Sequence, residues 1–254
     1  MQSFADLLRL AKQYEKELPP SPIKATPPHG AEIAGWIDHT LLKPEATLHQ
    51  VKQLCAEARQ HKFASVCVNP VFVHLASGLL SGSQIPVCAV VGFPLGASLP
   101  TSKALETLTC LEGGAREIDM VLHIGALKAE AYGQIYNEIT AVVQVAHNQS
   151  ALVKVIIETA LLNRFEKIIA CLLSKAAGAD FVKTSTGFAA AGATVEDVDL
   201  MYRVVGPETK VKAAGGIRTY QDAMAMIEAG AQRIGASAGV SIVGEANKIH
   251  EQQE

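Results

Sequence analysis

Three lysines stand inside apolar runs: Lys154 in LVKVIIET, Lys183 in FVKTSTG and Lys212 in VKAAGG, each 29 positions from the next. An unpaired ammonium in a buried strand is costly, so lysines placed there need partners. The constant interval predicts three ammonium groups at corresponding heights on adjacent strands of a repeating array, facing one another. Asp119, in EIDMVLHIG, supplies a carboxylate for them, and Glu158, at the end of the Lys154 run, is a second candidate. A tolerated ion-pair cluster whose long stems reach solvent is one outcome. Amine chemistry is the other: like charges and desolvation loosen a lysine's proton, and a neutral amine attacks a carbonyl carbon. Three such lysines in consecutive runs favour Schiff-base catalysis.

A second constellation is rich in small residues. Gly215-Gly216-Ile217-Arg218 follows the Lys212 run, and Gly235-Ala236-Ser237-Ala238-Gly239 closes the last run. Small residues let backbone N–H groups approach phosphate oxygens, and a helix starting after Ala238 would add its positive end. Thr184, Ser185, Thr186 and Gly187 add further donors, so a phosphorylated substrate is expected, the alternative being tight turns alone. His39, with Asp38 and Thr40 beside it, reads first as hydrogen-bonded structure rather than as catalyst or metal ligand. Cys67 reads as a small core residue, and GFPLG from Gly92 to Gly96 as a rigid turn. No metal is expected, since no HExxH or clustered histidines occur, and no serine triad is apparent.

The elements that must carry these residues follow from alternation along the chain. Eight short apolar runs, from WIDHTLL to RIGAS, are separated by segments of helical period such as Ala126 to His147, Asn163 to Ala177 and Thr219 to Ala229. Buried parallel strands joined by helices, without a GxGxxG turn after the first, predict a closed (β/α)8 barrel, a TIM barrel, over 31–254. Active sites of such barrels lie at the carboxyl ends of the strands, where the polar candidates cluster. Residues 1–30 form a separate N-terminal extension: an amphipathic helix with Phe4, Leu7, Leu8, Ala11 and Tyr14 on one face, then a Pro-rich linker. Whether that helix docks on the barrel is left open by the sequence.

Of 254 residues, 49% are hydrophobic and 19% charged, with a net charge of −3, so there is no basic field for nucleic acid. Every apolar run is too short for a membrane span, and charges interrupt the N-terminus where a signal peptide needs an apolar centre. Five scattered cysteines without a CxxC point to buried thiols in a reducing cytoplasm. The expected partner is a small phosphosugar, with room for a homodimer.

Taken in order, IDHTLLKPEAT, ASVCVNP, VVGFPLG, EIDMVLHIGALK, VKVIIETALL, GADFVKTSTGF, VKAAGGIRT and IGASAGVSIV resemble the deoxyribose-phosphate aldolase family, class I aldolases on a barrel, from about Ile33 to Ile249. KTSTGF with VKAAGGIR is the most specific part. The resemblance implies a lyase of deoxyribonucleotide catabolism that reversibly cleaves 2-deoxy-D-ribose 5-phosphate to acetaldehyde and D-glyceraldehyde 3-phosphate without metal or organic cofactor. Carried onto matching positions, it implies that Lys183 forms the Schiff base and that Lys212 lowers its pKa and joins proton transfer. It further implies that Asp119 positions the relay and that Lys154 belongs to the network in a less defined role. Gly187, Gly215, Gly216, Arg218, Gly235 and Ser237 match the phosphate-binding region. Three positions depart from members of the family: Phe188 replaces a basic residue, Ala238 a serine and His123, a neighbour of Asp119 by strand parity, an asparagine. The alternatives are another phosphosugar aldolase, transaldolase or isomerase, or a catalytically silent phosphate-metabolite binding barrel, against which intact Lys183, Lys212 and Asp119 argue.

Overall fold

A computed structural model describes residues 3–251. In chain order the elements are α1 (Phe4–Lys16), β1 (Ile37–Leu41), α2 (Leu48–His61), β2 (Ser65–Val68), α3 (Val73–Leu79), β3 (Val87–Val91), α4 (Pro100–Glu112), β4 (Ala115–Val121) and α5 (Ile124–Lys128). There follow α6 (Tyr132–His147), β5 (Leu152–Ile156), α7 (Arg164–Ala176), β6 (Phe181–Lys183), α8 (Val195–Val205), β7 (Lys210–Ala214), α9 (Tyr220–Ala229), β8 (Arg233–Ala236) and α10 (Gly239–Glu251). The eight strands pair in sequence order, all parallel, and β8 closes on β1, giving the (β/α)8 barrel expected from the alternation.

Local chemistry accounts for this order. The strands are short runs of Val, Ile, Ala and Cys, buried on both faces, with side chains pointing alternately to the helix layer and the barrel interior. Thus Val153 and Val155 join the main core while Lys154 between them points inward. Caps start the helices: Asn163 and Glu166 exchange side-chain-to-backbone bonds of 2.9 and 2.8 Å at α7, and Thr219 and Asp222 do the same at α9. The helix expected from Ala126 to His147 is two helices. His123 caps α5 by accepting from the Ala126 N–H at 2.7 Å, and Glu130 then takes a left-handed φ of 56°, which ends the turn before α6 begins.

The N-terminal helix docks. Leu7 and Ala11 are buried in the main core where α1 lies on α7, and the Phe4 ring meets Tyr136 edge-on at 5.5 Å. The proline-rich stretch behind it is fastened along the outer helices. Arg203 donates to the carbonyls of Pro19 and Leu18 at 2.7 and 3.1 Å, Tyr202 to that of Ile23, and Lys24 to that of Glu228. All five cysteines are buried and unpaired.

Candidate active site

The ladder, rather than the chain interval, sets the height of each lysine. Lys183 and Lys212 are register partners, but Lys154 is level with Phe181, and Ile156 is the partner of Lys183, so Lys154 sits two residues deeper than expected. Parity still turns all three inward, and Asp119, level with Lys154 on the neighbouring strand, gathers them. Its Oδ2 accepts from Lys183 at 2.8 Å and Lys212 at 2.7 Å, and its Oδ1 from Lys154 at 2.8 Å and from the Cys88 thiol at 3.1 Å.

A second tier lies below. Asp38 of β1 meets Lys212 at 2.5 Å and Arg233 at 2.6 Å and accepts from Ser65 at 2.7 Å, while Glu117 meets Lys154 at 2.6 Å. Asp38, Glu117 and Arg233 were not expected in the site. A signal for them exists: each is a charge inside an apolar strand, and Glu117 shares a face with Asp119 two residues on. Burial raises the proton affinity of the Asp119 and Asp38 carboxyls, but the surrounding cations outweigh it and hold both below the usual carboxylate range. Burial works against the ammonium of Lys212, yet Asp119 and Asp38 raise its pKa, and Asp119, Cys88 and Glu117 do the same for Lys154.

Above this network opens a cavity of about 460 Å³ at the carboxyl ends of the strands. Lys183 lines it, and so do Gly187, Gly215, Gly216, Arg218, Gly235 and Ser237, all six residues marked in the sequence for phosphate. Thr40, Leu42, Lys43 and Phe188 are among the other residues that line it. Gly235 serves packing as well, since a Cβ there would stand 3.0 Å from the Lys212 Cε and 2.9 Å from the Ala214 Cβ.

Several candidates have other duties. Glu158, expected as a partner of the lysines, instead accepts from the Thr186 backbone N–H at 3.2 Å and from its hydroxyl. It follows β5 with a left-handed φ of 55°, which carries it onto the β6–α8 loop. Thr184 is bonded across to the backbone of Ala214 at 2.9 and 3.0 Å, so it laces β6 to β7 and does not line the cavity. His39 is buried between Phe63, at 4.6 Å, and Glu57, at 2.7 Å, outside the cavity. Burial pushes its imidazole towards neutrality. His123 is the α5 cap rather than a barrel neighbour of Asp119. Cys67 lies in a small apolar cluster with Leu42, Cys88 and Val90, against which Phe93 packs. Cys67, Cys88 and Asp119 offer ligand atoms within 4.8 Å of one another. Yet three ammonium groups already occupy Asp119, and although its hydrogen bond with Cys88 lowers the Cys67 thiol, burial, Cys67 and Asp119 push the Cys88 thiol up, away from the thiolate a metal needs.

Comparison with known proteins agrees with this geometry. The model of the DeoC/LacD family aldolases matches residues 33–244. The deoxyribose-phosphate aldolase of Clostridium tetani is 58% identical over 214 residues, covering 84% of this chain and 99% of that one. A solved structure from Coccidioides immitis superimposes with a TM-score of 0.89 at 42% identity, covering 96% of this chain and 98% of that one. The deoxyribose phosphate aldolase of Aeropyrum pernix, described as a unique tetrameric structure, gives 0.82 at 33% identity over 98% of this chain and 100% of that one. The chain belongs to the DeoC/LacD family of aldolases.

Proposed function

We propose that this aldolase reversibly cleaves 2-deoxy-D-ribose 5-phosphate to acetaldehyde and D-glyceraldehyde 3-phosphate through a Schiff base on Lys183. The observation that carries the proposal is that Lys183, bonded to Asp119, reaches the same cavity as the glycine loops and Arg218. In the proposed reaction the neutral amine of Lys183 adds to C1 of the open-chain sugar, and loss of water gives an iminium. Removal of the C3 hydroxyl proton breaks the C2–C3 bond, whose electrons pass into the iminium and leave an enamine. D-Glyceraldehyde 3-phosphate departs, C2 is protonated, and water returns acetaldehyde and free Lys183.

Proton transfer in this scheme runs through Asp119 and Lys212, with an ordered water between them and the sugar. Asp119 is a weak base while three ammonium groups surround it; a Lys183 that has lost its proton removes one of them and makes Asp119 a better acceptor. Lys154 positions Asp119 from below. Gly187, Gly215, Gly216, Arg218, Gly235 and Ser237 would hold the phosphate, with the start of α10 behind them. That remote binding would fix the chain of the sugar over Lys183. Five unpaired cysteines suit a reducing cytoplasm, as a role in deoxyribonucleotide catabolism requires. A homodimer is part of the same proposal, and sedimentation at assay concentration tests it.

Borohydride reduction in the presence of acetaldehyde, followed by peptide mapping, tests the chemistry. An ethyl group on Lys183 is expected. No adduct on the folded protein refutes the Schiff base, and an adduct on Lys212 or Lys154 reverses the lysine roles.

A further inference from the structure

Lys103 is a fully buried lysine outside the barrel interior that takes no part in the proposed chemistry. It projects from the first turn of α4, and its three ammonium protons go to three different elements. Nζ donates to the Gly96 carbonyl at 2.7 Å, to the Val121 carbonyl at the end of β4 at 2.8 Å, and to the Glu138 carboxylate of α6 at 2.7 Å. Glu138 is likewise fully buried. One turn further along α4, Glu106 accepts from the Gly92 N–H at 2.8 Å. The two ends of the loop after β3 are thus held by one helix, and the loop is closed on itself by the Gly96 N–H on the Gly92 carbonyl at 2.8 Å.

The fit leaves no slack. A Cβ on Gly92 would stand 2.7 Å from the Lys103 Cε, and one on Gly96 would stand 2.0 Å from the Leu122 carbonyl oxygen. Between these glycines the loop carries Phe93. Its ring packs against the apolar cluster of Leu42, Cys67, Cys88 and Val90 and meets Phe188 edge-on at 5.3 Å. Leu42 and Phe188 both line the cavity above Lys183.

We infer that Lys103, with Glu138, is a positioning residue: it fixes the Gly92–Gly96 loop and the end of β4, and so holds Phe93 behind Leu42 and Phe188, the apolar part of the cavity lining that receives the two-carbon aldehyde. The inference rests on the proposed aldolase reaction. Burial lowers the pKa of Lys103 and raises that of Glu138, each towards its neutral form, so the pair gains little for stability from its charge. Its three directed bonds are what an apolar pair of similar volume would not supply. Lys103 bonds to Gly96, Val121 and Glu138 and to nothing on the loops after β7 and β8, where Gly215, Gly216, Arg218, Gly235 and Ser237 lie, so loosening the wall should act on acetaldehyde more than on the phosphorylated aldehyde.

The test replaces the pair by Lys103→Met/Glu138→Leu in the full chain and measures hydrogen exchange of residues 92–98 without substrate, the melting temperature, and both aldehyde KM values in the synthetic direction. Expected are faster exchange in that loop by about tenfold and a KM for acetaldehyde raised about five- to tenfold. The KM for D-glyceraldehyde 3-phosphate should stay within about twofold, with melting close to that of the parent. Phe93→Ala should reproduce the acetaldehyde effect without the exchange effect. If the double variant does not fold, Glu106→Leu, which cuts only the Gly92 bond, must shift exchange and acetaldehyde KM in the same sense. Unchanged exchange and KM in a folded variant, or equal loss for both aldehydes, overturns the inference. A parent without aldol activity refutes the aldolase reaction instead, and the exchange measurement alone then decides whether the clamp exists.

Discussion

Replacing Asp38 by Asn removes one negative charge from the floor of the barrel at almost no change in volume. Among the described residues the interior network holds three carboxylates, Asp38, Glu117 and Asp119, and four cations, Lys154, Lys183, Lys212 and Arg233. Asp38 contacts Lys212 at 2.5 Å and Arg233 at 2.6 Å with no exposure to solvent. Breaking a buried pair by neutralising one partner costs roughly 3–5 kcal/mol, because the other charge stays buried. At about 2–4 °C per kcal/mol for a chain of this length, melting should fall by roughly 6–20 °C.

The pH dependence carries a second signature. The folded pKa of Asp38 lies below its unfolded value, so its contribution is fully present above the unfolded pKa of about 3.9 and is lost as pH falls through the folded one. The gap in unfolding free energy between parent and D38N should therefore be full at pH 7 and shrink below about pH 4, by at most ~1.4 kcal/mol per pH unit. Urea titrations of both proteins at pH 7, 4 and 3 read this directly. A variant that melts with the parent at pH 7, or a gap that widens on acidification, would refute the account of Asp38 as a stabilising carboxylate.

Lys212→Leu takes away a cation that shares the Asp119 Oδ2 with Lys183, so turnover at neutral pH should fall and the rising limb of the pH–rate profile move to higher pH; an unmoved limb speaks against the assigned role. Arg218→Ala should raise KM for the phosphosugar about tenfold while leaving unphosphorylated deoxyribose nearly unaffected, and equal effects on both sugars would remove Arg218 from the phosphate site. Deleting residues 1–29 should leave kcat intact and lower the melting temperature, since burial of Leu7 alone contributes roughly 1.5–3 kcal/mol. A folded truncation with lost turnover would show that the extension reaches the site.

The barrel was legible because eight runs of buried-strand composition, separated by helix-length segments, leave few other ways to bury both faces of a sheet. The lysines and Asp119 stood out for the same reason, as charges in strands too apolar to tolerate them alone. Their relative depth was not legible. Equal intervals along the chain say nothing about which residues share a rung, and the β5–β6 ladder placed Lys154 two residues lower than the interval suggested. Glu158 was misjudged because one left-handed residue at a strand end redirects its side chain. Asp38 was set aside with its neighbour His39, although alternation sends the two to opposite sides: His39 to Glu57 and Phe63, Asp38 to the lysines. Docking of the N-terminal helix and of the linker behind it depended on partners some 150 to 200 residues away, Arg164 for the helix and Arg203 and Glu228 for the linker, and no local pattern reveals these.

The same geometry separates the three lysines from one another. Among the described residues Lys154 contacts three carboxylates, Asp38 at 3.7 Å, Glu117 at 2.6 Å and Asp119 at 2.8 Å; Lys212 contacts two; Lys183 contacts Asp119 alone. Converting an ammonium to a neutral amine and then to an iminium breaks the fewest ion pairs at Lys183. Accessibility follows the same order, because Lys154 and Lys212 are sealed in the barrel whereas Lys183, the last residue of β6, lines the cavity. A nucleophile must lose its proton and reach a carbonyl carbon, and both requirements favour Lys183 in the proposed reaction. On that proposal the deeper lysines have a different use, which is to keep Asp119 ionised and fixed beside Lys183.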